Sequence, residues 1–500
     1  MTQSLKKNLV CLLAAGLAIS TTGQAQDLGS MWGTAEEEEK YYRLVDIPIP
    51  HEVPMRPGSF EVLPDGRLAV GTRRGDVYFI DGAFETPPSP KYHLFASGQD
   101  EIFGMSWRDG SLTITQFGEV TRLTDTDGDD TADRFDTLTN NWGYAAGHEF
   151  AFGSKHDPDG NIWVALGLSG SYHSHNLFRG WAVKVTPDGE MIPVCSGLRS
   201  PGGVAANAEG AMFTIESQGP WNGSCSLKHL KPGGFLGHPA SYNWYPFAKE
   251  YDTPAVEPNT NSRLQVEKKR VEELVPPAVK FPYIKMGRSI SGFQLDGTGG
   301  KFGPFEGQLF FGDYTLSLIM RATTEQINGV WQGACHPFRE GLATGIMNVE
   351  FTPQGQLIAG GFTTNRQWPV RGEKPFAIQR LDWTGETPFE LKEINIRPDG
   401  FLLNFTLPVD PGVASEPGTY KLETYTHNFS AGYGSPEVDH TTPVVKSAKV
   451  AADGLSVRLV VDEIKESHIH DFDLAKMLSK EQQPLVHHKA YYTVNEIPSE

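Results

Sequence analysis

SFEVLPDGRLAVGTRRGDVYFI, residues 59–80, reads as an apolar strand, a turn carrying Gly66, and a second β-rich strand. The same phrase returns as GMSWRDGSLTITQFGEVTRL (104–123), HEFAFGSKHDPDGNIWVALG (148–167), GGVAANAEGAMFTIESQG (202–219), SGFQLDGTGGKFGPFEGQLFFGDYTLSLIMRA (291–322) and MNVEFTPQGQLIAGGFTT (347–364). The turn glycines Gly66, Gly110, Gly160, Gly210, Gly307 and Gly355 are spaced by 44, 50, 50, 97 and 48 residues. A period of about 40–50 residues with paired strands per unit is the signature of β-propeller blades. One blade cannot bury both faces of its sheet, so neighbours packed around an axis supply the core. The doubled spacing encloses residues 231–285, rich in Pro and charge, which interrupt the fourth blade as a long excursion. The count predicts a six-bladed propeller over residues 51–385. In that fold the ends of the innermost strands converge on an axial channel, so polar residues at repeated strand ends are the first candidates for function. Fold alone also admits a rigid scaffold for protein contacts.

The composition, with 54 Gly, 35 Pro and 11% aromatics, suits an all-β chain full of tight turns. Residues 1–25 carry Lys6 and Lys7, the apolar run LVCLLAAGLAIS and small residues before Ala25, the pattern of a signal peptide cleaved near Ala25. The expectation is a periplasmic or secreted protein with no membrane span, because no later segment approaches ~18 uninterrupted apolar residues. Without Lys6 and Lys7 the basic count falls from 43 to 41 against 61 acids, a net charge of −20, which repels nucleic acid and anionic lipid. Residues 26–50 read as an N-terminal leader whose acidic stretch near Ala35 is solvated or a short helix. Residues 388–500 change character and carry strands spaced as in a small Ig-like β-sandwich. Cys195, Cys225 and Cys335 remain after cleavage; an oxidising compartment allows one bridge, with Cys195 and Cys225 flanking the fourth blade as the pair considered and the connectivity open.

Candidate chemistry concentrates at the strand ends. His148 opens the third blade, where a neutral imidazole can take a proton from a bound hydroxyl. Arg199, one blade on in GLRSPGG, offers a guanidinium to charge developing on an oxygen. Arg73, Arg74, Gln116, Glu216, Gln218, Asp313 and Tyr314 follow the second strand of their blades and suit a polar channel for a hydroxyl-rich ligand. Loop aromatics Trp142, Tyr144 and Trp221 are expected to be exposed and able to stack on a sugar face. In DTDGDDTAD, Asp125, Asp127, Asp129 and Asp133 offer hard oxygen ligands for Ca²⁺ in a loop placed between blades two and three, although the spacing is not that of an EF-hand. His173 with His175, and His468 with His470, read as surface histidines.

On HEFAFGSKHDPDGNIWVALG, GLRSPGGVAANAEGAMFTIESQG and GQLFFGDYTLSLIMRA, the chain resembles the glucose/sorbosone dehydrogenase-like family over roughly residues 50–385. That family includes the soluble six-bladed sugar dehydrogenases that use pyrroloquinoline quinone (PQQ). The resemblance is nearest to the exported planctomycete-type branch with a C-terminal β-domain. It implies oxidation of a sugar hydroxyl, His148 as general base, Arg199 polarising the quinone oxygen, PQQ as cofactor, and a periplasmic electron acceptor such as a cytochrome. The chain departs from the pattern at Ser200, where Asn is expected, and at Gly203, near an expected Gln. Asp313, Gly345 and Met347 stand where basic residues would hold the PQQ carboxylates; Arg73, Arg74, Arg288 and Arg366 are the possible substitutes. Two alternatives follow from the same residues. One is a propeller that has lost PQQ and binds carbohydrate or protein, with the C-terminal sandwich as docking unit. The other is a lactonase-like metal hydrolase using Glu216 and Asp313.

Overall fold

The computed structural model describes residues 30–145, 148–254, 256–364 and 369–499; the segment 1–25 and Arg366 lie outside them. The described chain is all-β, and its inner strands Pro57–Val62, Gly104–Arg108, Ala151–His156, Pro201–Ala206, Ile290–Leu295 and Asn348–Phe351 each begin one blade of a six-bladed propeller. All six repeat glycines sit in turns with φ between +79° and +90°. L-residues avoid that region, which is why the repeat keeps glycine there. Cores lie between adjacent blades: Phe79 and Phe95 of blade one pack with Met105, Leu112 and Ile114 of blade two.

The sixth blade is closed by Tyr42–Asp46, which pairs antiparallel with Phe376–Trp383 from Tyr42 opposite Trp383 to Asp46 opposite Gln379. This corrects the leader assigned to residues 26–50. A three-stranded last blade would leave an open edge, and the N-terminal strand fills it. The acidic stretch does form a short helix, Ala35–Glu38, but Glu38 is buried rather than solvated.

The excursion in blade four separates its third strand, Cys225–His229, from its fourth, Val279–Phe281. It contains the 3₁₀ segment Pro239–Phe247, whose Tyr245 packs into the blade-three core, and Ser262–Arg263, which pairs with Lys421–Phe429 of the C-terminal region. After residue 388 two sheets face each other. One is Leu391–Arg397, Gly400–Phe405, Ser456–Val461 and Val445–Val450; the other is built on Lys421–Phe429, His468–Asp473 and Lys489–Val494, with Ile394, Phe401, Leu459, Phe472 and Tyr492 filling the space between. The second sheet is continuous with the propeller, because Lys489–Val494 pairs with Val330–Arg339, the outer strand of blade five. The sandwich is therefore joined edge to edge with a blade rather than tethered as a separate docking unit.

Two further expectations are overturned, and the bridge left open between Cys195 and Cys225 is not formed. Cys195, Cys225 and Cys335 are free thiols, each buried, with Cys195 and Cys225 in different cores. Burial pushes the thiols of Cys195 and Cys225 up to about 12. His468 and His470 are buried on their strand, because that strand is central in the sandwich sheet; His173 and His175 are exposed. Trp142 is buried, donating Nε1–H to the Phe117 carbonyl at 2.8 Å.

Candidate functional site

The inner strands leave a channel, and its two ends differ. Toward one end, Lys155 of blade three reaches Glu350 of blade six at 2.9 Å and Glu61 of blade one at 3.7 Å, and Gln294 of blade five donates to Glu350 at 3.0 Å. Burial pushes Glu350 up to about 7 against the pull of Lys155. This network plugs the axis. Toward the other end, where the inner strands start, lies a cavity of about 370 Å³ lined by residues of all six blades and one residue of the C-terminal region.

The apolar side of the cavity is aromatic. Phe103, Phe152, Tyr314 and Phe362 form one cluster with Phe150 and Met347 packed on it. The polar side carries His148, Arg73 and Arg199, and no carboxylate lines the cavity among the described residues. His148 precedes its inner strand and is exposed to the cavity, its ring edge-on to Phe150 at 6.4 Å. The segment that carries it is held from behind. Arg179, fully buried, donates to the carbonyls of Gly143 (2.7 Å), Phe150 (3.0 Å) and Phe117 (2.8 Å). Glu149, next to His148 in sequence, is buried and accepts from Asn176 Nδ2 at 2.8 and 2.9 Å.

Arg199 is buried, with Nη2 donating to the carbonyls of Ser217 (3.0 Å) and Gln218 (2.6 Å). Its Nε is buried without an acceptor among the described residues. A Cβ at Gly219 would lie 2.2 Å from that Nε, so glycine is what lets the guanidinium lie against this turn. Arg73 lies between the Phe150 and Phe362 rings, 5.8 and 5.2 Å from their centroids, and is paired with Glu101 at 2.6 Å. Tyr314 lines the cavity and its hydroxyl accepts from the Thr364 backbone N–H at 3.1 Å.

The remaining strand-end candidates lie outside the cavity. Glu216 is buried against Lys228 at 2.5 Å and accepts from the Ser200 N–H at 2.9 Å; burial opposes its ionisation, but Lys228 and Arg199 hold its carboxyl below the usual range. Asp313 is buried and accepts from the N–H groups of Arg288 (2.7 Å), Ser289 (2.9 Å) and Leu316 (2.8 Å), while burial raises its pKa. Both shape the turns behind the pocket, and neither is among the residues that line it. Gln116 is buried in a network with Thr121 (2.8 Å) and the Asp100 N–H (2.6 Å). Gln218 donates to the Gly223 carbonyl at 3.3 Å, and the Arg74 side chain is exposed away from the cavity. Asp125, Asp127 and Asp133 come within 4.8 Å of one another and could hold a cation, whereas Asp129 is not in that group. Their loop joins Val120–Thr124 to Arg134–Thr139 inside blade two, not blade two to blade three.

Several lining residues escape the sequence reading. Ser171 is presented by His238, whose Nε2 donates to its carbonyl at 3.1 Å while Nδ1 accepts from Ala240 N–H at 3.2 Å. That arrangement requires a neutral ring, consistent with burial pulling the His238 pKa down to about 4. Tyr433 enters from the C-terminal region, its ring 5.4 Å from Arg199 Cζ. Its only mark in the sequence is an aromatic between two glycines in SAGYGS.

Residues 90–284 match a family described as a domain of unknown function (DUF7133). No curated protein matches the chain. Among solved structures the chain is similar to a putative oxidoreductase (glucose dehydrogenase) from Thermus thermophilus, at 17% identity over 68% of this chain and 99% of that one, with a TM-score of 0.48. It is similar to the PQQ-bound form of an aldose sugar dehydrogenase from Streptomyces coelicolor, at 16% identity over 68% and 98%, TM-score 0.47. It is also similar to the PQQ domain of a pyranose dehydrogenase from Coprinopsis cinerea, at 11% identity over 68% and 95%, TM-score 0.46.

Proposed function

We propose that this chain is an oxidoreductase of the sugar-dehydrogenase type that works outside the cytoplasm. In this reading it oxidises a hydroxyl of a carbohydrate-like substrate at the axial cavity, with PQQ as cofactor and an external electron acceptor such as a cytochrome. The observation that carries the reading is the composition of the cavity. In a chain of net charge −18, it gathers His148, Arg73 and Arg199 and, among the described residues, no carboxylate beside an aromatic wall. Such a site favours a flat anion.

The residues present fit such a group. Arg199 keeps a buried Nε–H without an acceptor, and the Phe150 and Phe362 rings offer flat apolar surface. Arg199 and Arg73 would hold PQQ carboxylates or its quinone oxygens by charge-assisted hydrogen bonds. When bound, PQQ would supply a quinone that accepts the two electrons of the substrate as a hydride. The work of the chain is complementary: His148 takes the proton from the substrate hydroxyl oxygen, and Arg199 stabilises negative charge on an oxygen placed before it. The aromatic wall excludes water, which strengthens both interactions.

A second reading draws on Arg73, whose charge Glu101 already balances at 2.6 Å. A less charged ligand then suits the cavity, and the propeller binds carbohydrate without redox chemistry. Titrating the protein with PQQ and Ca²⁺, while following cofactor absorbance and sugar-dependent dye reduction, separates the two. The enzyme reading predicts saturable binding, with turnover falling about 10²–10⁴-fold in His148→Ala and binding retained. In Arg199→Ala cofactor affinity falls. No binding at tens of micromolar PQQ removes the enzyme reading.

A further inference from the structure

Tyr433 belongs to the C-terminal sandwich yet lines the propeller cavity, with 59% of its surface exposed. The loop that carries it is tied down at its base. The Trp221 N–H donates to the Ser430 carbonyl at 2.7 Å, the Ala431 N–H to Thr260 Oγ1 at 3.0 Å, and Phe429 packs on Trp221 with ring centroids 5.2 Å apart. Gly432 and Gly434 flank the tyrosine, Gly434 with φ +75°. The tip therefore projects over the mouth while its base cannot drift. An aromatic ring left this exposed adds little to the core, and the loop holds it at the cavity beside Arg199.

Two more half-exposed tyrosines stand beside the same cavity. Tyr172 follows the lining residue Ser171, and Tyr144 stacks on Phe117 (6.1 Å), which in turn stacks on the wall residue Phe150 (5.2 Å). The three rings come from the C-terminal region, from blade three, and from the connection between blades two and three.

We propose that these tyrosines form an aromatic rim for a carbohydrate chain: Tyr433 receives the apolar face of a sugar ring at the mouth, and Tyr172 and Tyr144 receive rings beyond it. The substrate is then the end of an oligosaccharide or polysaccharide. A free monosaccharide small enough to sit inside about 370 Å³ has no use for rings outside it, whereas a chain leaves its following units at the rim. Pyranose CH faces and tyrosine rings pack well because both are apolar on the face and polar at the edge. The inference rests on the reading of the cavity as a sugar-oxidising site.

Calorimetric titration of the intact protein, with and without PQQ, tests it with mono- to tetrasaccharides of the cello-, malto-, xylo- and chito- series. In one series affinity should rise with length by about 3- to 10-fold per ring gained. Tyr433→Ala should remove that gain for the trisaccharide, and Tyr433→Trp should restore it. Affinity independent of length, equal losses for mono- and trisaccharide, or no binding by any series overturns the rim; a rim that serves a protein partner gives the last result. A variant that weakens only PQQ also overturns it, by reducing Tyr433 to a cover for Arg199. Length-dependent binding without PQQ binding keeps the rim and removes the oxidoreductase reading.

Discussion

His487 ties three parts of the chain together, and its charge can be removed by pH. The ring is buried, with Nδ1 2.6 Å from Glu390 Oε1 and Nε2 2.8 Å from Glu38 Oε1. Glu38 sits in the N-terminal helix and also receives Arg339 of blade five at 3.2 Å, while Glu390 and His487 belong to the C-terminal region. Carboxylates at both ring nitrogens require both to carry hydrogen, so the bound form is the imidazolium. Burial pulls the pKa down, but the two carboxylates outweigh it and raise it to about 9. Against an ordinary value of about 6.5, at about 1.36 kcal/mol per pH unit, the clamp contributes about 3 kcal/mol to folding. A raised pKa gives stability that is full below about pH 6.5 and is lost as pH rises through about 9. Urea unfolding of the wild type and His487→Gln at about pH 6, 7.5 and 9.5 reads this directly. The wild type should exceed the variant by about 3 kcal/mol at the lowest pH, and the gap should shrink toward zero at the highest. An equal gap at all three refutes the charged clamp.

Lys280 presents the opposite case: it is buried, and burial together with Lys228 brings its pKa down to about 8. The folded state then resists its charge below about pH 8 and is free of that cost above about 10.5, so Lys280→Met should stabilise the fold against urea at pH 7, by at most about 3 kcal/mol, and not at pH 10.5. A variant less stable than the wild type at pH 7 would count against this. The three cysteines of the described chain are buried and free, so a thiol reagent should label none of them in the native protein and all three after unfolding. Mass spectrometry that finds a Cys195–Cys225 bridge would contradict it. Removing residues 388–499 should give aggregation rather than a monomeric propeller, because it strips the partner strand from Val330–Arg339 and uncovers Cys335 and Trp331. A monodisperse truncated product by size-exclusion chromatography would show that blade five tolerates a free edge.

The blade repeat was legible because its determinants are local. A glycine at φ near +80° between two apolar strands is a property of a few consecutive residues, and six such phrases count the blades. The cavity was legible only in part. His148, Arg199, Arg73 and Tyr314 do meet there, since equivalent positions in neighbouring blades point to the same axis. Gln116, Glu216 and Asp313 occupy equivalent positions but turn into the sheet, where Thr121, Lys228 and backbone N–H groups meet them. Whether a strand-end carboxylate faces the channel or its own turn depends on which donors the fold brings behind it, and a lysine such as Lys228 acts across the strand ladder rather than along the chain.

Sequence alone thus determined what short-range stereochemistry encodes: the all-β class, the number of blades and the channel end at which His148 and Arg199 meet. Closure of the sixth blade by Tyr42–Asp46, the fusion of the sandwich to blade five and the arrival of Tyr433 beside Arg199 were decided only in three dimensions. Each joins residues more than 150 positions apart, and such contacts arise from unpaired strand edges and uncovered faces that no local pattern records.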